Sequence, residues 1–196
     1  MQINLKALKA INMFSSKEET RYYLNGVNLR FEAGYIYMEA TNGHYFALIR
    51  HKIEETQDLP NVIVPRSLIE KIKLDRKSGD FAEYTLENDK VTIDYAGVTY
   101  REGRVDAVYP DTKRIVPETI SNDVAQFDAD YPALFKKAAK LLGRETVTIG
   151  HNGQNPALVD WLPEDFEGFG VLMPMRTSDA LKASPVWSRY PKSNAA

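Results

Sequence analysis

Three histidines, His44, His51 and His151, are the residues best suited by type to acid–base or metal chemistry, and their spacing assigns them neither. No two stand four apart, and the chain has no cysteine, so no recognisable zinc set can be assembled from it. The lack of cysteine also removes thiol nucleophiles and disulfides, and it agrees with a reducing cytoplasm. The sequence contains no G-x-x-x-x-G-K-[ST] loop, no G-x-S-x-G elbow and no G-x-G-x-x-G turn. Asp106 and Asp111, or Asp160 and Glu164, would need to pair in space to act, and acidic residues beside loops are common. HNGQNP, residues 151–156, reads as a hairpin loop built on its Asn-Gly pair. These residue types predict a binding protein with no catalytic residues, no metal and no cofactor.

Two other groupings suit recognition. Basic residues recur in three clusters: Lys6 and Lys9; Arg66, Lys71, Lys73, Arg76 and Lys77; Lys136, Lys137, Lys140 and Arg144. With a formal net charge of -2, the whole chain does not attract nucleic acid, so any DNA contact must come from basic residues gathered on one face. The second grouping is the Met-Pro-Met run of VLMPMR, residues 171–176, whose methionines could line either a core or an adaptable pocket.

The elements that must position these groups repeat. A short strand, an amphipathic helix with lysines outside and several alternating strands recur three times, at a period of roughly 60 residues. In the first unit, residues 1–57, Leu5, Leu8 and Ile11 or Asn12 have helical spacing, followed by strand-like runs over 21–24, 27–31 and 35–40 with a turn at Ala33-Gly34. The second unit, residues 58–117, opens with a strand over 62–64. Pro65 suits the first turn of a helix that buries Leu68, Ile69 and Ile72 and turns its five basic residues outward. Strands near 84–86, 91–95 and 98–100 follow, with Asn88-Asp89 and Ala96-Gly97 as turns, and a loop over 109–117 closes the unit.

The third unit, residues 118–176, opens with a strand over 124–127. Its helix, from about Asp130 to Leu142, buries Leu134, Phe135, Ala138, Leu141 and Leu142 and stops at Gly143. Strands over 146–149, 157–161 and 170–173 complete it. Residues 177–196 have little periodicity and are expected to be mobile unless Trp187 and Tyr190 dock. Lys6 and Lys9 exclude an N-terminal signal peptide and no stretch approaches a membrane span, so the reading is a soluble, cytoplasmic protein.

Four strings, in order, resemble the middle domain of the bacterial DNA polymerase III beta subunit, the sliding clamp: RYYLNGV (21–27), EATNGHYFAL (39–48), VIVPRSLIEKI (62–72) and YPDTKRIVP (109–117). VLMPMR resembles the extreme C-terminus of that clamp, and FDADYPALFKKAAKLLG (127–143) resembles the second half of its last domain. The resemblance covers about residues 1–176. It implies an α+β DNA-clamp fold of repeated β-α-β-β-β units, helices packed on curved antiparallel sheets, with a two-unit domain over 1–117, a half domain over 118–176 and a tail over 177–196. Family members carry three domains of two units each, so three units are half of that count. Where the family has an acidic residue and an Arg-Leu pair, this chain has Asn42 and Tyr45-Phe46, and twenty residues follow its MPMR string.

The resemblance also implies a hydrophobic groove for the short linear motif by which polymerases and other replication and repair proteins dock. The matching positions are Leu24, Thr41, Gly43, His44, Tyr45, Phe46, Pro110, Arg114 and Ile115 on one side, with Tyr131, Val171, Met173, Pro174, Met175 and Arg176 on the other. It implies that the basic helices touch the DNA backbone without reading sequence. The first functional expectation is a minimal clamp whose copies assemble around DNA, four copies supplying the twelve units of a ring. The second is a monomeric decoy or adaptor that captures clamp-binding peptides without encircling DNA. A third is an enzyme on a clamp-like scaffold, since fold does not fix function. Pro185-Val186-Trp187 is expected to cover the groove of its own or a neighbouring molecule.

Overall fold

The structure, a computed structural model, describes residues 1–53 and 59–176. The expectations for the tail, including Pro185-Val186-Trp187 over the groove, lie outside the described residues. The first unit runs β1 (Gln2–Asn4), α1 (Leu5–Asn12), β2 (Gly26–Glu32), β3 (Tyr35–Thr41) and β4 (Tyr45–Lys52). The second runs β5 (Val62–Pro65), α2 (Arg66–Lys71), β6 (Phe81–Glu87), β7 (Lys90–Tyr95) and β8 (Val98–Gly103). The third has α3 (Asp130–Leu142), β9 (Thr148–Gly150), β10 (Ala157–Asp160) and β11 (Glu167–Leu172).

Helices pack on antiparallel sheets, as the sequence predicts. One sheet has the order β1-β6-β7-β8, the other β5-β2-β3-β4-β11-β10-β9. The first strand of each of the first two units crosses into the other unit's sheet, β1 pairing with β6 and β5 with β2. The third unit joins through β11, which runs antiparallel to β4 over six pairs from Glu167↔Arg50 to Leu172↔Tyr45. Helix α1 lies at the centre, with Leu5, Ala7, Leu8, Ala10 and Ile11 fully buried and both other helices packed against it. Asn4 caps it by accepting from the Ala7 amide at 2.9 Å.

Aromatic packing fastens the third unit to the first. The Phe14 ring lies 4.6 Å from that of Phe135 and 5.4 Å from that of Trp161, and all three side chains are buried. Gly170 is where β11 passes beneath this cluster: a Cβ there would lie 2.2 Å from Phe135 Cε1.

Several expectations are corrected. Residues 21–24 belong to a short 3-10 turn, Glu19–Leu24, because both edges of the neighbouring β2 are already taken by β3 and β5. The run over 124–127 forms no strand. In the first two units the opening strand completes the other unit's sheet, and here no such sheet stands beside the third unit among the described residues. The segment is held instead by the 151–153 loop, with the Asn122 amide on the His151 carbonyl at 3.0 Å and the Gly153 amide on the Asp123 carbonyl at 2.9 Å. Pro65 ends β5 as the residue capping α2 rather than opening its first turn. Helix α2 stops at Lys71, leaving Lys73, Arg76 and Lys77 in a loop. There the Tyr95 hydroxyl receives the Asp75 amide and lies 2.9 Å from the carbonyls of Asp75 and Gly79. A longer helix would also have set Lys73 against Lys77 at i, i+4.

His51, on β4, is largely buried, and neither ring nitrogen has a hydrogen-bond partner among the described residues. Burial lowers its pKa from the ordinary 6.5. The unfolded chain therefore takes up the proton before the folded one, so this contribution to stability is complete above 6.5 and is lost as pH falls below it. Thermal melts followed from about pH 7 to pH 5 should show His51→Phe losing less stability than the parent. Equal pH slopes would remove His51 as the cause.

Candidate functional site

Alternation along β4 and β11 sorts their side chains between two faces. Ala47, Ile49 and Leu172 enter the main core under the helices, whereas Phe46, Leu48 and Val171 form a separate small cluster on the opposite face of the sheet. Cross-strand pairing places Val171 opposite Phe46, and the Met173 amide continues the ladder by donating to the His44 carbonyl at 2.9 Å. Residues 41–46 and 171–173, more than a hundred positions apart, are thus neighbours.

The β3–β4 turn is fixed by its own side chains. Thr41 Oγ1 donates to the Tyr45 carbonyl at 2.6 Å and receives the Gly43 amide at 3.0 Å, and Asn42 Oδ1 receives the amides of His44 and Tyr45. A third wall comes from the loop after β8. Asp111 caps a 3-10 turn, Thr112–Ile115, by accepting from the Lys113 amide. Thr112 Oγ1 reaches across to the buried Glu39 at 2.9 Å, and the other Glu39 oxygen accepts from Asn28 Nδ2 at 2.7 Å. These bonds tie the loop to the middle of the sheet.

Between these walls lies a cavity of about 250 Å³, lined by Arg21, Tyr23, Leu24, Thr41, Gly43, Tyr45, Phe46, Pro110, Asp111, Thr112, Ile115, Val171 and Met173. Nine of the positions singled out from sequence are among them. His44, Arg114, Tyr131, Pro174, Met175 and Arg176 are not part of its lining. His44 stacks on Tyr131 at 5.9 Å, and Tyr131 meets Tyr45 edge-on at 5.2 Å, so the three form a shelf beside the cavity. Met175 and Arg176 are exposed, the Met175 amide donating to the Gln126 carbonyl. Arg114 is exposed beside Asp111.

Sequence reasoning missed Arg21, Tyr23, Asp111 and Thr112. Tyr23 sits inside the RYYLNGV string, and Asp111 carries an N-cap signal; both were available. A larger cavity of about 660 Å³ adjoins the first, sharing Phe46 and Thr112 and bordered by Arg30, Arg50 and Lys113. Arg30 lies over the Tyr37 ring at 4.1 Å.

The basic residues divide into two sets, and three of the outward assignments are wrong. Lys9 is half-buried and donates to the carbonyls of Ile69 and Ile72 at 2.9 and 2.5 Å, closing the C-terminal end of α2; burial lowers its pKa. Arg66 turns inward to the Ser15 carbonyl and hydroxyl, both at 3.0 Å, and pairs with Glu70. Arg144 holds Asp160 through two bonds of 2.7 Å and also donates to the Leu162 carbonyl; Arg144 keeps the Asp160 carboxyl below its usual range. Each of these cations donates to at least one backbone carbonyl. Lys6, Lys71 and Lys140 make ion pairs with Asp80, Glu102 and Glu145. Lys73, Arg76, Lys77, Lys136 and Lys137 are exposed, and no ion pair engages them among the described residues. Among the described residues no group of three or more His, Asp or Glu is arranged to hold a metal, and no helix is long and apolar enough to cross a membrane.

A sheet with a hydrophobic cleft on its outer face and lysine-bearing helices behind it defines the DNA-clamp class of fold. Solved structures agree: the DNA polymerase III beta subunit of Thermotoga maritima superposes with a TM-score of 0.70 at 16% identity, over 91% of this chain and 65% of that one. The sliding clamp of Bacillus subtilis gives 0.70 at 18%, over 90% and 64%. The family model for the DNA polymerase III beta subunit, central domain, matches residues 3–111. The beta sliding clamp of Caulobacter vibrioides is 30% identical over 173 residues, 78% of this chain and 46% of that protein. That of Staphylococcus aureus is 29% identical over 154 residues, 74% and 40%. The chain belongs to the DNA polymerase III beta subunit family, the sliding clamps, and spans about half the length of the curated relatives it matches.

Proposed function

We propose that this chain is a clamp-like replication protein whose outer-face cleft docks the short peptide motif of a DNA polymerase or another replication or repair protein. The observation that carries this reading is the cleft itself: Leu24, Phe46, Ile115, Val171 and Met173, from distant parts of the chain, converge on one cavity with polar groups at its rim. An apolar floor takes spaced apolar side chains, and the backbone and side-chain polar groups of the Thr41 turn orient the peptide between them. A labelled peptide carrying a glutamine followed by spaced apolar residues is the probe. Its anisotropy should rise on titration with the protein, and Met173→Ala should weaken binding about tenfold, the scale of a truncated pocket side chain. Unchanged affinity would remove the cleft from the reading. The division into a two-unit domain over 1–117 and a half domain over 118–176 belongs to the same proposal, as does the absence of catalysis.

The helical side is proposed to meet the DNA backbone without sequence preference. Since Lys9, Arg66 and Arg144 are engaged within the fold, the exposed residues Lys73, Arg76, Lys77, Lys136 and Lys137 carry the interaction. Lys136→Ala with Lys137→Ala should lower the slope of log affinity against log salt by about 2, one unit for each phosphate no longer neutralised. Arg144→Ala should leave that slope in place. A ring of several copies would stay on closed circular DNA until the circle is cut. The adaptor reading, a monomer that captures peptides alone, requires that it wash off in salt.

A further inference from the structure

We propose that residues 185–190 of this chain, PVWSRY, occupy the outer-face cleft of their own molecule, so that a docking peptide must displace them. The proposal rests on the docking reading above and names the segment that competes at the same site.

The fold delivers the chain to the mouth of the cleft. Met173 lines the cavity and its amide is bonded to the His44 carbonyl; two residues on, the Met175 amide donates to the Gln126 carbonyl. Arg176 follows, exposed, and twenty residues of sequence come after it. Trp187 stands eleven positions beyond Arg176, a span of up to about 40 Å at full extension, whereas the three positions back to Met173 cover at most about 11 Å. The indole therefore reaches the cavity with chain to spare.

Composition fits the segment to the cavity. Leu24, Phe46 and Val171 make an apolar floor, and the space continues past Phe46 and Thr112 into the larger cavity, which leaves room for an indole. Val186, Trp187 and Tyr190 are the clustered large apolar residues of the 177–196 stretch. Tryptophan brings a large apolar area and keeps one donor for a wet rim. Ser184 and Tyr190 each precede a proline, which biases both toward the extended backbone that a cleft between two walls accepts.

Charge points the same way. Of the charged residues in the lining, Arg21 is held by Glu18 and the Asn42 carbonyl, while Asp111 is exposed with an exposed partner, Arg114. Residues 177–196 carry Lys182, Arg189 and Lys192 against one acid, Asp179, and Arg189 is two positions from Trp187. A cation arriving beside the indole thus meets an acidic rim. A tethered segment meets the cavity at an effective concentration in roughly the millimolar range, above that of other molecules in a micromolar solution, so each cleft takes its own segment.

Methyl NMR of the full chain without peptide is the first arm of the test. Trp187→Ala should shift the signals of Leu24, Ile115, Val171 and Met173 at every protein concentration and leave those of Leu5 and Ile93 in place. The second arm is titration with the labelled glutamine-bearing peptide, which the variant should bind about tenfold more tightly than the parent, the factor expected when roughly nine clefts in ten are covered. A peptide that binds neither protein while the methyl signals respond to Trp187→Ala removes the docking reading and leaves the segment in the cleft. Unmoved methyl signals overturn the proposal, as does equal measurable affinity of the two proteins for the peptide. So do methyl shifts that appear only on concentration, which would seat the segment of a second copy.

Discussion

Gly168→Ala should detach the third unit from the first and abolish peptide docking along with it. At φ 155° this residue carries β11 past β4 so closely that a Cβ would stand 2.1 Å from the Leu48 carbonyl oxygen and 2.9 Å from a Leu162 methyl. A backbone carbonyl in mid-sheet has nowhere to move, unlike the end of a flexible side chain. The β4–β11 ladder must then open near its Glu167↔Arg50 end, and the strain passes to Gly170 beneath Phe135. The cost should be about 3 kcal/mol or more, combining a forced backbone conformation with broken ladder bonds. Denaturant unfolding checks it. A loss below about 0.5 kcal/mol would mean that this strand pairing is not what holds the units together.

Leu24→Asp should leave the fold standing and eliminate docking. Leu24 is 4% exposed at the floor of the cavity, as the last residue of the 3-10 turn, and lies outside the main core cluster. A carboxylate there meets Phe46, Ile115 and Val171 on the other walls, and a bound peptide would seal it away from water, while Arg21, the cation in the lining, is already held by Glu18 and the Asn42 carbonyl. Burying an unpaired charge costs several kcal/mol, enough to lower affinity by at least about a hundredfold. The free protein keeps most of its stability, because the open cavity still admits water to the carboxylate. Loss of binding with an intact melting transition is the expected pair of results; loss of both would make Leu24 a core residue instead.

Much of this arrangement was legible from local signals. Helix α3 was readable because Leu134, Phe135, Ala138 and Leu142 keep a helical period and Gly143 supplies the stop. The turns at Asn88-Asp89 and Ala96-Gly97 were readable because all four residues take positive φ, which most of those types tolerate well in tight hairpins. Strand β4 left little trace: Phe46 to Ile49 are buried on both faces, so alternation is lost. Lys9 and Arg66 looked like surface charge because nothing in their spacing reveals that the ends of α2 and α1 stop across from them. The 124–127 run has strand composition but no neighbouring sheet edge, and pairing is a property of the neighbour. In the cleft, the strings around Thr41 and Met173 were visible, while Thr112 was not, since its role depends on Glu39 seventy-three positions away.

The most direct test of the two-walled cleft is a titration of methyl-labelled protein with the glutamine-bearing peptide, followed by NMR. Methyl signals of Leu24 and Ile115 on one side and of Val171 and Met173 on the other should shift together, with a common saturation curve, while those of Leu5 and Ile93 in the core stay in place. Shifts confined to one wall, or none at saturating peptide, would contradict the account.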